Sequence, residues 1–152
     1  MNVTSHLTEN CKSLLIFEIS DIEYCLSNTM VSSFAKPDNI HQVGDTEKSK
    51  YSLLRIGNIL IPLIDLKKVL VDEKQHIDKT SRVIIIEYKE IQFGLLVERI
   101  KEIIALDSKF VTTSLQFIPK LNGRYIEGTI EFEDRKLMLL NMENIVTDIG
   151  YI

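Results

Sequence analysis

The chain has 152 residues, a length typical of one domain. Hydrophobic residues make up 45% and charged residues 26%, ordinary values for a globular protein that exclude a disordered or collagen-like chain. Its 18 Lys and Arg residues stand against 22 Asp and Glu residues, a net charge of −4, so a nucleic-acid partner is not expected.

The sequence carries no mark of membrane insertion or export. A membrane span needs about 20 apolar residues in a row, and the longest apolar run here is the six residues 59–64. Residues 1–13 form an N-terminal tail without a basic start and an apolar middle. We therefore expect a cytoplasmic protein in which Cys11 and Cys25 stay thiols, with Cys25 as a small core residue.

A repeated hairpin pattern is the most informative feature. Residues 15–26 align without a gap over residues 84–95, an offset of 69 positions. Both segments have an apolar run, a short polar break and then alternation of apolar and polar residues, which predicts two strands joined by a tight turn. The same offset places Val31 over Ile100 and Phe34 over Ile103. Burial at equivalent positions is expected for Leu15, Phe17, Tyr24 and Leu26, and for Ile84, Ile86, Phe93 and Leu95.

A second block repeats at an offset of 76, with residues 53–70 over residues 129–146. In it Gly57–Asn58, a two-residue hairpin signal, falls over Glu133–Asp134. The run 59–64 that follows is predicted to be a buried strand.

Proline and the helix caps complete the pattern of this block. Pro62 lacks the N–H that a central strand donates, which predicts an edge strand or a bulge. Each copy then ends with an N-cap residue, Asp65 or Asn141, and an apolar stripe at helical spacing, which predicts a short helix.

The two copies, residues 14–71 and 81–146, lie within one domain, 14–152, and are joined by a polar linker. Each copy is too small to bury a good core alone. We expect a mainly β protein with two pseudo-symmetric five-stranded units, as curled sheets or β-barrels, and short helices.

Residue patterns for catalysis and metal binding are missing. The six glycines are scattered, so a phosphate-binding loop is not expected. No histidine follows His76, which leaves the second half without a base for a serine or cysteine nucleophile. The candidate zinc ligands, which share no usual spacing, are Cys11, Cys25, His6, His41 and His76.

Carboxylates do cluster in the second copy, and alternation places Glu131 and Glu133 on one strand face near a turn. A solvated hairpin tip is the favoured interpretation, and a paired acid–base site is the alternative. The cluster consists of Glu127, Glu131, Glu133 and Asp134. With no enzyme, metal or cofactor chemistry expected, surfaces for protein partners remain, and these predict an adaptor.

The order of motifs resembles the CheW-like domain of bacterial chemotaxis from residue 14 to residue 146. Residues 93–104 (Phe-Gly-Leu-Leu-Val-Glu-Arg-Ile-Lys-Glu-Ile-Ile) are similar to that family's apolar-Gly-apolar-apolar-Val-acid-x-Val-x-x-Val pattern. Residues 61–66, 125–128 and 139–143 also resemble family motifs.

The resemblance implies two five-stranded β-barrel subdomains around a shared core. It implies a non-catalytic scaffold that couples chemoreceptor tips to the regulatory domain of the histidine kinase CheA. We expect the isolated protein to be a monomer. It should bind no cofactor, metal or nucleic acid and should not insert directly into a membrane. The partner-binding residues that it implies are Val31, Phe34, Arg55, Gly57, Asn58, Glu98 and Glu102.

The first copy departs from the family pattern. Residues 52–58 read Ser-Leu-Leu-Arg-Ile-Gly-Asn where the family favours Gly-x-x-Asn-x-Arg-Gly, so the arginine at the turn is absent. Ser33 stands where the family has an acidic residue, and the paired prolines of the next loop are reduced to Pro37. A scaffold of an accessory system such as pilus motility, or one that has lost receptor coupling, is therefore an alternative. A small-ligand-binding barrel is another, and would need a pocket of about 300 Å³ or more.

Overall fold

The computed structural model describes residues 11–38, 40–41, 51–107, 111–112 and 123–148. Their architecture is mainly β, with short 3₁₀ turns at 28–30 and 123–125. The strands are β1 (Cys11–Ile19), β2 (Ile22–Ser27), β3 (Val31–Ala35), β4 (Ile40–His41), β5 (Tyr51–Ile56), β6 (Ile59–Asp65), β7 (Arg82–Tyr88), β8 (Ile91–Val97), β9 (Arg99–Asp107), β10 (Val111–Thr112), β11 (Ile126–Phe132) and β12 (Arg135–Leu140), and the helices are α1 (Leu66–Val71) and α2 (Met142–Asp148).

The strands form two sheets with the same plan. Sheet 1 has the order β10-β11-β12-β2-β1-β9 and sheet 2 the order β4-β5-β6-β8-β7-β3. Each sheet therefore joins the first hairpin of one sequence copy to the second hairpin of the other copy. The joining contacts are the parallel pairs β12–β2 and β6–β8. The boundary between the two repeats is consequently not the boundary between the two sheets.

The strand registers confirm the repeat. Leu15 pairs with Leu26 in β1–β2, and Ile84 pairs with Leu95 in β7–β8, which are positions related by the offset of 69. Even the irregularities repeat, because the edge strands β3 and β9 each have a register shift that leaves one extra residue, Ser32 or Lys101. The two bulges obey the same offset.

Alternate residues of these strands form one core shared by both sheets. All eight positions expected to be buried at equivalent sites are at most 1% exposed and belong to this core. The rings of Phe17 and Tyr24 stack with centroids 5.8 Å apart. Full burial of such a side chain stabilises the fold by about 1.5–3 kcal/mol. The core therefore supplies the contacts that hold the two sheets together.

The opposite face of each sheet has a smaller core of its own. Leu14, Ile16 and Cys25 lie in the cluster of sheet 1, whereas Val83 and Ile85 lie in the cluster of sheet 2. Strands such as β1 and β7 are thus buried on both faces, which explains their nearly continuous apolar sequences.

The sheets are curled, but closed β-barrels are not confirmed. In the described residues the ladder of each sheet runs from one edge strand to the other without joining them. The curl is visible where Arg135 Nη1 of β12 lies 3.2 Å from Glu102 Oε2 of β9, across two intervening strands. Three strand spacings would measure about 14 Å on a flat sheet.

Strand β6 corrects two expectations. Pro62 lies on neither an edge strand nor a bulge, because β6 runs between β5 and β8 and pairs regularly with β5. The parallel pairing of β6 with β8 begins at Leu63, so Pro62 lies one residue before the paired residues. The strand is also not buried throughout, since Ile59 is 51% and Leu60 45% exposed next to the Gly57–Asn58 turn.

The helix caps are confirmed. Asp65 Oδ1 accepts the N–H of Lys68 at 3.2 Å at the start of α1. Asn141 Oδ1 accepts the N–H of Asn144 at 2.9 Å at the start of α2. Each cap satisfies a donor of the first helical turn that has no partner within the helix.

Candidate docking surface

Most of the predicted partner-binding residues lie in sheet 2. The outermost strand β3 carries two of them, and β5 with its following turn carries three, with β7, β8 and β6 between these strands. Glu98 precedes β9 and Glu102 lies on it, at the edge of sheet 1. The residues in sheet 2 are Val31, Phe34, Arg55, Gly57 and Asn58.

The two apolar candidates on β3 differ in exposure. Val31 is half-buried, pairs with Ile86 and packs against the shared core. Phe34 is 46% exposed, so it is not a core residue. Its equivalent on β9, Ile103, is 52% exposed. Because β3 and β9 are the outer strands of their sheets, both carry an apolar side chain on an unpaired edge.

The corresponding ends of the two sheets differ in charge. At the end of sheet 1, Arg135 binds Glu23 through two hydrogen bonds of 2.9 Å and also contacts Glu102. Lys101 lies 3.6 Å from Glu18 and 3.9 Å from Glu23. The hydrogen bond from Arg135 lowers the pKa of Glu23, which therefore stays ionised. We call this network the charged end of sheet 1. It connects residues of the four strands β1, β2, β9 and β12.

At the same place in sheet 2 the offsets put Ile59 for Arg135, Gln92 for Glu23, Ser33 for Glu102, Ser32 for Lys101 and Glu87 for Glu18. One exposed carboxylate therefore remains where sheet 1 has a network of ion pairs. Since both sheets share one topology, we expect the same curl to bring Ile59 towards Ser33, across the end of the sheet. We call the uncharged residues at this place the uncharged end of sheet 2, defined as Ser32, Ser33, Phe34, Gly57, Asn58, Ile59, Leu60 and Gln92.

The predicted acidic residues have partners within the chain. Glu98 accepts the N–H of Ser20 at 2.8 Å and lies 3.0 Å from Lys67 Nζ. Glu102 is bound by Arg135. Glu98 therefore links the β1–β2 turn to α1, and Glu102 links β9 to β12.

Sequence reasoning missed Ile59 and Leu60, because it assigned them to a buried strand. Their position directly after a hairpin turn is the signal that could have found them. The last pair of a hairpin, here Ile56 with Ile59, extends past the body of the sheet.

The described residues show no group of three or more His, Cys, Asp or Glu side chains that could hold a metal ion. Glu131, Glu133 and Asp134 are exposed, and Glu133 belongs to the β11–β12 turn, not to a strand face. Cys25 is a free, buried cysteine as expected, and burial raises the pKa of its thiol. The side chain of Cys11 lies outside the described residues, as do those of His6 and His41.

Among the helices that the structure describes, none has the length and hydrophobicity to cross a membrane.

Comparison with known proteins identifies the family. The chain is 24% identical to the chemotaxis protein CheW of Bacillus subtilis (strain 168) over 135 residues, 89% of this chain and 86% of that protein. It is 19% identical to the chemotaxis protein CheW of Klebsiella aerogenes, over 90% of this chain and 82% of that protein. The crystal structure of the scaffolding protein TtCheW from Thermoanaerobacter tengcongensis has the same fold, with a TM-score of 0.77 and 23% identity over 90% of this chain and 88% of that one. The model of the CheW-like domain matches residues 13–150, and the chain therefore belongs to the CheW-like domain family.

Proposed function

We propose that this protein is a non-catalytic adaptor that couples chemoreceptors to a CheA-type histidine kinase in the cytoplasm. Family membership supports the class of function, and relatives are named as chemotaxis and scaffolding proteins. The observation that carries the docking proposal is the uncharged end of sheet 2, whose equivalent in sheet 1 is occupied by ion pairs.

The difference in charge supports a kinase contact at the end of sheet 2. The centres of protein interfaces are depleted in charged residues and enriched in aromatic ones. Phe34, Ile59 and Leu60 are each about half exposed, and the charges beside them are Arg55, which pairs with Leu60, and Glu87. A partner that covers them therefore removes fewer charges from water than one that covers the end of sheet 1. Covering the Arg135 network would desolvate several charges, which often costs more than the new contacts return. We therefore assign the kinase contact to sheet 2.

The test compares the equivalent edge residues Phe34 and Ile103. Phe34→Lys should weaken binding of the purified kinase regulatory domain at least tenfold, because a buried aromatic contact is replaced by a charge. Ile103→Lys is the matched control and should bind like the parent. Both substitutions are on exposed side chains, so each should change stability by no more than about 0.5 kcal/mol. Titration calorimetry and thermal melts measure the two quantities.

Asn58→Lys extends the test to the turn at the same end. A solvated turn tolerates lysine, so melting should stay unchanged, whereas an interface that covers Asn58 should lose affinity. Equal affinity losses for Phe34→Lys and Ile103→Lys, or parental affinity for both Phe34→Lys and Asn58→Lys, would contradict the assignment.

Two alternatives to this function are considered. A small-ligand-binding barrel would need a pocket of about 300 Å³ or more, and the cavity at the start of α2, bounded by described residues, measures about 160 Å³ and does not favour it. A scaffold of an accessory system such as pilus motility is a second candidate, favoured by Gly57 and Ser33 at the positions where the family pattern has arginine and an acid. Binding to the kinase of one system and not of the other distinguishes them.

A further inference from the structure

A cavity of about 160 Å³ lies where the start of α2 meets both sheets. The buried Leu14, Leu26 and Met142 form its floor, and the half-buried Met30 and Tyr88 also line it. Its polar lining includes Thr29, Asn141 and the carboxylates Glu127 and Glu143. At about 30 Å³ per water molecule, this volume equals about five waters, enough for one apolar side chain.

The repeat identifies the equivalent place in the first copy, where Asp65 corresponds to Asn141 and Glu98 corresponds to Thr29. There the linker between the copies contacts both residues. The N–H of Gln75 donates to Asp65 Oδ2 at 2.9 Å, and the hydroxyl of Thr80 donates to the backbone oxygen of Glu98 at 2.9 Å. Gln75 is only 4% exposed. A segment of the chain itself therefore covers this place in the first copy.

The equivalent side chains at the two places make different contacts. Glu98 is held against Lys67 and Ser20, whereas the shorter Thr29 bonds to the neighbouring hydroxyl of Ser27 at 2.8 Å. Asn141 Oδ1 caps α2. The amide group of Asn141 retains Nδ2 as a hydrogen-bond donor, where Asp65 has an acceptor.

We propose that the cavity binds an extended segment of a protein partner, in the way that residues 72–81 cover the equivalent place in the first copy. One apolar side chain of the partner enters the cavity beside Met30 and Tyr88, the half-buried members of its lining. A backbone carbonyl beside it accepts a hydrogen bond from Asn141 Nδ2. The change from Asp65 to Asn141 thus exchanges recognition of a peptide N–H for recognition of a peptide carbonyl. The proposal does not rest on the adaptor function.

The test uses acetyl-Gly-Leu-Gly-amide as the probe and ¹⁵N-labelled full-length protein, with amide chemical shifts as the readout. Saturable shifts are expected at Thr29, Met30 and Asn141, and not at Asp65. Acetyl-Gly-Ala-Gly-amide is the matched ligand, and should bind at least fivefold more weakly because it leaves the cavity largely empty.

Two variants test the contacts. Asn141→Asp keeps the cap acceptor and removes the donor, so it should weaken binding at least fivefold without lowering the melting temperature. Asn58→Asp makes the same chemical change on the uncharged end of sheet 2 and should have no effect. Thr29→Glu restores the residue type of the first copy and should abolish binding by filling the cavity.

Several outcomes would overturn the proposal. These are an absence of shifts at the cavity, equal binding of the two peptides, and parental binding by both Asn141→Asp and Thr29→Glu. Shifts at Thr29 and Asn141 that depend on protein concentration without peptide would assign the cavity to a second copy. Tighter peptide binding by a chain that ends at Asp148 would assign it to the residues that follow.

Discussion

At the scale of single residues, the tight turns show what local sequence signals can miss. Among the two-residue hairpin turns that the structure describes, only Gly57–Asn58 has the composition typical of such a turn, and Gly57 has a φ of +60°. The three other turns place both residues in the left-handed region without glycine. They are Ser20–Asp21, Lys89–Glu90 and Glu133–Asp134, with φ between 48° and 66°. The hairpins were predictable there from apolar alternation alone, because the favourable pairing of long strands outweighs the strain of the turn.

Glycine substitutions at these turns should therefore act in opposite directions. Glu90→Gly should raise the free energy of unfolding by about 1 kcal/mol, because a left-handed conformation costs a residue with a Cβ about 1–2 kcal/mol. Gly57→Ala should lower it by about 1 kcal/mol for the same reason, since no atom lies within 4 Å of the added Cβ. Urea denaturation measures both. A loss of stability in Glu90→Gly would show that this turn is not strained.

Gly94 is a residue of the motif in residues 93–104, and its role follows from the packing of its neighbours. The offset of 69 places it over Cys25, which is buried in sheet 1. In sheet 2 a Cβ at Gly94 would lie 2.6 Å from Val83 Cγ1 and 3.2 Å from Leu63 Cδ1. The side chains of neighbouring strands thus fill the space that Cys25 occupies in the other copy, and sequence alignment alone could not assign that space.

At the scale of elements, the repeat predicted hairpins, registers and helices because these depend on local periodicity. Strand β6 was misassigned because Pro62 was interpreted without its neighbours, and a strand is internal or at an edge only through its long-range partners. The charged end of sheet 1 was missed for the same reason. Arg135 and Glu23 are 112 residues apart in sequence and meet only through the curl of the sheet.

The charged end of sheet 1 should make stability depend on pH. Because Arg135 lowers the pKa of Glu23 below its unfolded value, the pair stabilises the fold above the unfolded pKa of about 4.3. That stability is lost as pH falls through the lower pKa of the folded state. Arg135→Gln should therefore melt below the parent at pH 7, and this difference should shrink as pH falls below about 4.

Lys136→Gln is the matched control for Arg135→Gln. Lys136 is on the same strand, but its contact to Glu131 is longer, at 4.0 Å, and more exposed. It should change the melting temperature little at either pH. A difference between Arg135→Gln and the parent that stays constant down to pH 3 would show that Arg135 stabilises the sheet by packing and not through Glu23.

At the scale of the whole molecule, sequence analysis predicted two equivalent units but not the exchange of hairpins between them. Sheet 1 takes β1 and β2 from the first copy, and sheet 2 takes β7 and β8 from the second. The exchange depends on the parallel pairs β12–β2 and β6–β8, which join strands distant in sequence. Apolar periodicity defines which face of a strand is buried, but it does not specify the neighbouring strand.

The exchange predicts how fragments of this protein behave. A cut between Ile77 and Asp78, both exposed in the linker, leaves each fragment with strands of both sheets and a complete set of neither. Neither fragment alone should show a cooperative thermal transition, because the shared core would lose half of its contacts to water. An equimolar mixture should recover the near-native transition, since the parallel pairs can form between separate chains. Circular dichroism melts of the fragments and the mixture measure this, and a cooperative melt of either fragment alone would mean that the sheets do not depend on strands from both copies.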